Sequence, residues 1–211
     1  MSNSRERARD ERGIAAELEA LARDAAVRPR AIAELLDALP ADLRTSVVRA
    51  LSRTAQRTLY EKVRDFAAVE LRQLVPPDRR PLETVRHLGR NTLPAFTLFE
   101  KRFCRLPGAS PETPDALAGF NFQALSGITG PGYFMAFADP ARPEVLVDYR
   151  RLPPERPADW PVIRSNESGL ARFVYGFMVD RLRRVSRDVT VGSAARNGRE
   201  LGNYFVLSRE D

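Results

Sequence analysis

The sequence predicts an α+β protein in which an N-terminal α-helical bundle precedes an antiparallel β-barrel or strongly curled sheet. The composition changes near residue 95, since only Tyr60 and Phe66 of the 17 aromatic residues, and only Gly13 and Gly89 of the 12 glycines, come earlier. The first part is rich in Ala, Leu, Arg and Glu, which favour helices. The second part has the aromatic, Val and Gly content that is typical of strands and tight turns.

The N-terminal part divides into helices at its prolines and at a capping serine. Residues 6–25 repeat apolar side chains at helical spacing. Pro29 can occupy the first turn of a second helix, and Pro40 ends that helix before a third begins. Ser52 is a suitable N-cap for a longer fourth helix, which ends at the proline pair 76–77. Because each helix is amphipathic, we expect the helices to pack together in a small bundle.

The chain is predicted to consist of a helical module over residues 1–80, a junction over 81–106 and an antiparallel β-barrel-like domain over 107–211. In the junction, the sequence predicts a short helix over 81–88, which the following glycine caps at its C-terminus. A second helix over 94–100, which leads into a strand, is favoured by the spacing of its phenylalanines.

Strands and turns dominate the barrel-like domain. Strands are predicted at 118–128, 132–138, 144–150, 170–175, 179–186, 188–194 and 203–209. The Gly-Pro-Gly at 130–132 predicts a turn, because glycine adopts positive φ at little cost. Asn197-Gly198 predicts a two-residue type I′ hairpin. Consecutive strands with short turns form an antiparallel meander, and closing the meander leaves no exposed edge, so we expect a barrel.

Net charge, the length of apolar runs and the single cysteine indicate where the protein is located and whether it binds nucleic acid or a membrane. The net charge is +6, but no segment is a basic block, so nucleic-acid binding is the least favoured function. No apolar run is long enough to span a membrane, and the first residues lack the apolar stretch of a secretory signal. Cys104 is the single cysteine, which excludes a disulfide framework and fits a reducing compartment. We therefore expect a soluble, cytoplasmic protein.

Candidate catalytic and metal-binding residues are few. His87 is the only histidine, and on a helix it would pair with Glu83 rather than act as a base. Cys104 has apolar neighbours, which favours a buried filler over a nucleophile. The sequence has no paired His or Cys, no calcium-type loop and no phosphate-binding loop, so we expect no metal and no cofactor, and we assign no catalytic residue.

Three segments resemble a known family of small barrels. They are Phe173-Val-Tyr-Gly-Phe-Met-Val-Asp-Arg-Leu-Arg-Arg-Val-Ser-Arg, Tyr204-Phe-Val-Leu-Ser-Arg and Lys101-Arg-Phe. The pattern is similar to strands of lipocalin-like barrels from the uncharacterised family that pairs with Gly-X-Trp-X-Gly domains, although the Gly-X-Trp-X-Gly signature itself is absent. The resemblance implies a lipocalin-like barrel fold and, at most, a cavity for a hydrophobic ligand. It implies no catalytic residue.

Aromatic and polar residues of the predicted barrel could form a ligand pocket, because such pockets are mostly apolar with a few convergent polar groups. The candidate ligand-binding residues are Tyr133, Tyr149, Trp160, Arg172, Tyr175, Asp180 and Arg183. The alternative is an ordinary barrel core with Arg–Asp pairs at its rim. Side chains alternate along a strand, so Arg172 and Tyr175 would face opposite sides, and Tyr175 is the better candidate of the two.

Three functions remain as hypotheses. The first is the binding of a small hydrophobic ligand in a barrel cavity. The second is a helical interaction or regulatory module at residues 6–75, which would bind a protein partner while the barrel serves as scaffold. The third is an isomerase-like or cyclase-like enzyme with Asp180 or Asp148 as general base, which requires a carboxylate inside the barrel.

Overall fold

The computed structural model describes residues 2–122, 130–167, 169 and 171–210, with side chains from residue 9 onward. The helices of this part are α1 (Ser2–Arg23), α2 (Pro29–Asp37), α3 (Ala41–Ala50), α4 (Arg53–Lys62), α5 (Leu71–Leu74) and α6 (Ala171–Val174). The strands are β1 (Val85–Asn91), β2 (Leu98–Arg105), β3 (Leu117–Phe122), β4 (Tyr133–Ala138), β5 (Val145–Asp148), β6 (Met178–Arg184), β7 (Val189–Arg196) and β8 (Arg199–Arg209). These strands form a closed antiparallel barrel in chain order, in which β8 pairs with β1. The predicted α+β fold with an antiparallel barrel is therefore confirmed.

Helices α1 to α4 cover one side of the barrel. Helix α3 packs on β8 and β1, and α4 packs on β7 and β8. Buried side chains such as Ile32, Leu36 and Leu59 form one apolar cluster with Val191 and Val206 on the outer face of the barrel. Removing apolar surface from water contributes about 25 cal/mol per Å². Packing against the barrel therefore holds these short helices in place.

The local signals for helix ends are confirmed. Helix α2 begins at Pro29, and α3 begins directly after Pro40. The Ser52 hydroxyl caps α4 by accepting a hydrogen bond from the Ala55 amide at 3.2 Å. Within the described residues, no helix combines the length and the apolar character that crossing a membrane would need.

The predicted long fourth helix is wrong beyond Lys62, where α4 ends. The chain then turns toward the lower end of the barrel, the end at which β1 begins. There the Val69 amide donates to the Pro143 carbonyl at 3.2 Å. Leu74 and Val75 are buried among the side chains that fill the barrel interior. Burial of these apolar side chains outweighs the modest preference of the segment for a continuous helix.

The helices predicted over 81–88 and 94–100 are also wrong, because the chain forms β1 and β2 there. Gly89 is not a helix cap. It lies inside β1, where a Cβ atom would come within 2.7 Å of the Leu207 Cδ2 atom and 2.8 Å of the Val206 carbonyl oxygen. Strand β1 closes the barrel between β2 and β8, so pairing with distant strands overrides the local spacing. The division into three segments stays a prediction.

One of the two predicted glycine turns, the hairpin at Asn197-Gly198, is confirmed. Asn197 and Gly198 have φ values of 50° and 75° and connect β7 to β8 as a two-residue hairpin. Gly130 and Gly132 have the expected positive φ, 79° and 59°, but the turn predicted at 130–132 is wrong. These residues run beside β3, where the Asn121 amide donates to the Pro131 carbonyl at 3.0 Å.

Two strands predicted in the barrel domain differ from the structure. The strand predicted at 170–175 is wrong, since the segment contains α6 and a tight turn in which the Tyr175 amide donates to the Ala171 carbonyl at 2.7 Å. This segment lies over the upper end of the barrel instead of joining the sheet. The strand predicted at 118–128 corresponds to β3 in its first part, and residues 123–129 lie outside the described residues.

Candidate functional site

The barrel holds a cavity of about 390 Å³ near its upper end, the end at which β1 finishes and β2 starts. Most lining side chains are apolar, among them Phe99, Met178 and Phe205. Leu93 and Leu201, which also line it, are exposed to solvent, so the cavity opens at this end. The volume falls within the range of about 300–1,000 Å³ that is usual for small-molecule sites.

The lower half of the barrel interior is filled by side chains. Phe103 and Phe134 pack edge to face at 5.2 Å, and Leu74 seals the end below them. The His87 Nε2–H donates to the Leu74 carbonyl at 2.9 Å, and burial lowers the pKa of His87 to about 4. The prediction that His87 pairs with Glu83 on a helix is therefore wrong, because His87 points into the barrel from β1.

Four polar side chains lie together at the floor of the cavity: Lys101, Asn121, Tyr149 and Asp180, here called the buried tetrad. All four are nearly or fully inaccessible to solvent. The Lys101 Nζ atom donates to Asn121 Oδ1 at 3.0 Å, to Asp180 Oδ2 at 2.9 Å and to the Tyr149 hydroxyl. The Tyr149 hydroxyl donates to Asp180 Oδ2 at 3.0 Å and accepts from Asn121 Nδ2 at 2.8 Å. The tetrad is thus one connected hydrogen-bond network around a buried ion pair.

Strand register brings the tetrad together. Lys101 on β2 lies directly opposite Asn121 on β3, and both face the interior. Asp180 faces the interior from β6, and Tyr149 follows the last residue of β5, which is the neighbour of β6. Because side chains alternate along a strand, a shift of one residue in any pairing would turn a tetrad member outward.

Burial and charge shape the chemistry of the tetrad. Burial lowers the pKa of Lys101, and the Asp180 carboxylate opposes that shift. Burial, with the Asp180 charge, raises the pKa of Tyr149 well above its usual value. The Nζ atom also lies 5.0 Å from the centroids of the Tyr149 and Phe205 rings, a distance at which aromatic rings attract a cation.

One acceptor of the tetrad is left over. The Lys101 ammonium has three donors, and the three contacts described above account for all of them. The Asp180 Oδ1 atom is buried and has no hydrogen-bond partner among the described residues. Since an unmet buried acceptor is costly, this oxygen favours a group that can donate to it.

The structure brings three of the seven predicted site residues to the cavity. Tyr149, Tyr175 and Asp180 line it, and the Tyr149 and Tyr175 rings stack with centroids 5.4 Å apart. Arg172 lies on α6, where its side chain is exposed.

The other three predicted site residues lie on the outer face of the barrel. Tyr133 and Trp160 pack with Phe120 in a separate apolar cluster. Arg183 pairs with Glu144 at 2.8 Å and donates to the Tyr60 carbonyl of α4 at 2.8 Å. These contacts join the strands to neighbouring segments and place the three side chains away from the cavity.

Sequence reasoning missed Lys101 and Asn121. A signal for Lys101 was present, because Phe99, Lys101 and Phe103 alternate at strand spacing, and Lys101 is one of only two lysines. A lysine between aromatic residues of one strand face is an unusual core residue. Asn121 has no comparable signal in its neighbourhood.

The remaining candidates lie outside the cavity. Cys104 is a buried filler, as predicted, and burial raises the pKa of its thiol to about 12. Asp148 faces outward, and burial alone would raise the pKa of Asp148, but hydrogen bonds from Arg150 bring it below its usual value. In the part of the chain that the structure describes, no group of three or more His, Cys, Asp or Glu side chains is placed to hold a metal ion.

No family model, curated protein or solved structure matches this chain.

Proposed function

We propose that this protein binds a small, mostly apolar molecule in the barrel cavity, with a polar group of that molecule next to the buried tetrad. The observation that carries the proposal is the combination of an apolar cavity, open at one end, with a hydrogen-bond network at its floor. The lipocalin-like resemblance of the sequence points to the same kind of function.

The tetrad favours a hydrogen-bond donor on the ligand. Among the described residues, Asp180 Oδ1 is the acceptor without a partner, whereas the three Lys101 donors are already used. A hydroxyl or an N–H group would satisfy this oxygen, and a carboxylate would be repelled by it. We therefore expect a long-chain alcohol to bind more tightly than the fatty acid of the same chain length.

The test is a thermal-shift and native mass spectrometry screen of the full chain with matched alcohols, amines and carboxylic acids. A ligand at about 100 times its Kd should stabilise the protein by about 2.7 kcal/mol. Ala194→Phe should abolish this effect because Ala194 lines the cavity, and Ala158→Phe on an exposed loop is the matched control. The proposal fails if no compound binds, or if Ala194→Phe binds as well as the parent protein.

An isomerase-like activity is the second candidate. The observation that favours it is the Asp180 Oδ1 atom, which lies in an apolar surrounding and has no hydrogen-bond partner within the part of the chain that the structure describes. Asp148 does not suit the role of base, because Arg150 binds its carboxylate at 2.8 Å outside the cavity. Incubating an identified ligand with the protein in D₂O, and following its C–H signals by NMR, tests for proton abstraction. Exchange that disappears in Asp180→Asn would support the activity, and no exchange in the parent protein would exclude it.

A helical interaction module is supported less well. The apolar side chains of α2 to α4 that would bind a partner are buried against the barrel, such as Leu36 and Val48. A partner would have to use the polar faces of these helices or displace them from the barrel.

A further inference from the structure

Exposed apolar side chains surround the mouth of the cavity. The turn between β1 and β2 supplies Leu93 and Phe96, the segment of α6 and the following turn supplies Phe173 and Phe177, and β8 supplies Leu201. These five residues are called the apolar rim. Phe173 is 74% exposed and Phe96 is 57% exposed, so these two phenyl groups have little cover. Apolar side chains that cluster in this way mark a surface that binds another apolar phase.

The backbone holds two members of the rim in an unfavourable conformation. Phe96 and Phe177 have φ values of 52° and 60°, in the left-handed region that bulky residues avoid. Strain of this kind persists where a structure has a use for it. Here it leaves two phenyl rings partly exposed beside the cavity mouth, Phe96 by 57% and Phe177 by 39%.

Basic side chains flank the rim and outnumber acidic ones among the described residues at this end. The basic residues next to the rim are Arg53, Arg172, Arg196 and Arg199. The acidic ones are Glu167, Glu200 and Glu19, whose Oε1 atom accepts a hydrogen bond from the Ser52 amide beside Arg53. Arg196 holds α6 against β7 by donating to the carbonyls of Phe173 at 2.9 Å and Val174 at 3.1 Å. The rim therefore presents phenyl and aliphatic groups within a positive surrounding.

We infer that the upper end of the barrel docks on an anionic lipid bilayer, with the apolar rim inserted among the acyl chains and the arginines at the phosphate level. Apolar side chains bordered by arginine are the pattern of interfacial membrane binding, and each basic residue near an anionic surface adds affinity. The cavity mouth then faces the acyl layer. This step rests on the proposed function, since an apolar ligand could pass between bilayer and cavity without crossing water.

Co-sedimentation of the full chain with lipid vesicles tests the inference. The probes are phosphatidylcholine vesicles and vesicles in which phosphatidylglycerol replaces part of the phosphatidylcholine. We expect binding to the anionic vesicles that weakens with salt. Phe96→Ser and Phe173→Ser should each lower the partition coefficient about tenfold, because each removes one phenyl group from the acyl layer. Arg172→Gln should lower it about fivefold.

Val162→Ser is the matched control, because Val162 is 65% exposed on the segment that crosses the outer wall of the barrel. It should leave vesicle binding unchanged. The inference is overturned if the parent protein does not bind anionic vesicles, or if Val162→Ser weakens binding as much as Phe173→Ser. It is also overturned if the rim substitutions instead dissolve a dimer seen by sedimentation velocity. Ligand binding in the cavity without vesicle binding would leave the proposed function intact.

Discussion

Replacing Lys101 by Met should destabilise the fold strongly, and replacing Asp180 by Leu as well should restore most of the loss. The two side chains form an ion pair at 2.9 Å, and they are only 2% and 4% exposed. Lys101→Met keeps the length of the side chain but leaves the Asp180 carboxylate in an apolar cavity without its cation. Asp180 would keep only the hydrogen bond from the Tyr149 hydroxyl.

The expected cost of the single substitution is about 3–5 kcal/mol, which is the usual effect of removing one partner of a buried ion pair. For a chain of this size, that loss lowers Tm by about 6–20 °C. In the double variant both charges of this pair are gone, and Asn121 still donates to the Tyr149 hydroxyl at 2.8 Å. The double variant should therefore lie within about 1 kcal/mol of the parent protein, since apolar replacements of a buried pair are often neutral or better.

Urea denaturation of the parent protein and of the variants measures these differences in the free energy of unfolding. The m-values, which give the dependence of that free energy on urea concentration, are compared between the variants. Lys62→Met is the control, because Lys62 is the only other lysine, and its Nζ atom donates to the carbonyls of Asp24 and Val27 near the surface. Lys62→Met should lower the free energy of unfolding by about 1–2 kcal/mol, because it removes two hydrogen bonds. A Lys101→Met cost below that of Lys62→Met, or a double variant no better than the single one, would refute the reasoning.

Three further predictions concern the stability of the fold. Burial lowers the pKa of His87 from 6.5 to about 4. The free energy of unfolding should therefore fall by about 3 kcal/mol in total as the pH drops from 6.5 toward 4, because the unfolded chain takes up a proton that buried His87 does not. His87→Gln should flatten this part of the curve of stability against pH. Gly119→Ala should cost about 1–3 kcal/mol in chemical denaturation, because a Cβ atom there would lie 2.3 Å from the Phe134 ring, whereas Gly13→Ala on exposed helix should not destabilise. Ser52→Ala should cost about 1 kcal/mol by loss of the α4 cap, and Ser52→Asp, which retains the cap, should restore it. The His87 argument is contradicted if His87→Gln loses as much stability at low pH as the parent protein. The other two are contradicted if Gly119→Ala and Gly13→Ala change the free energy of unfolding equally, or if Ser52→Ala and Ser52→Asp do.

Much of the barrel could be predicted because its hairpins are local. The Asn197-Gly198 turn and the strands on either side of it lie within one short stretch, so propensity and turn chemistry act together. Strand β1 and the start of β2 could not be predicted in this way, whereas the strand predicted after residue 100 corresponds to the rest of β2. Phe96, Phe99 and Phe103 fit helical spacing, and pairing of β2 with β1 and β3 decides that the segment is extended from Leu98 onward.

The candidate site could be predicted in part. Tyr149, Tyr175 and Asp180 were identified from residue type alone, and the structure places them at the cavity. Tyr133 and Arg183 were expected beside them but face outward, because loops and helices cover the outer wall and make both faces of several strands apolar. Alternation then no longer tells the inside of the barrel from the outside.

By itself, the sequence determined that helices come first, that an antiparallel barrel follows, and where the tight turns between the late strands lie, since these depend on composition and on neighbouring residues. Only the tertiary structure decided which side chains face the cavity. Lys101 meets Asp180 through strands that lie far apart in the chain, and their burial depends on how the barrel closes. The physical reason is that a charge is stable in an apolar interior only when register brings its partner within hydrogen-bond distance.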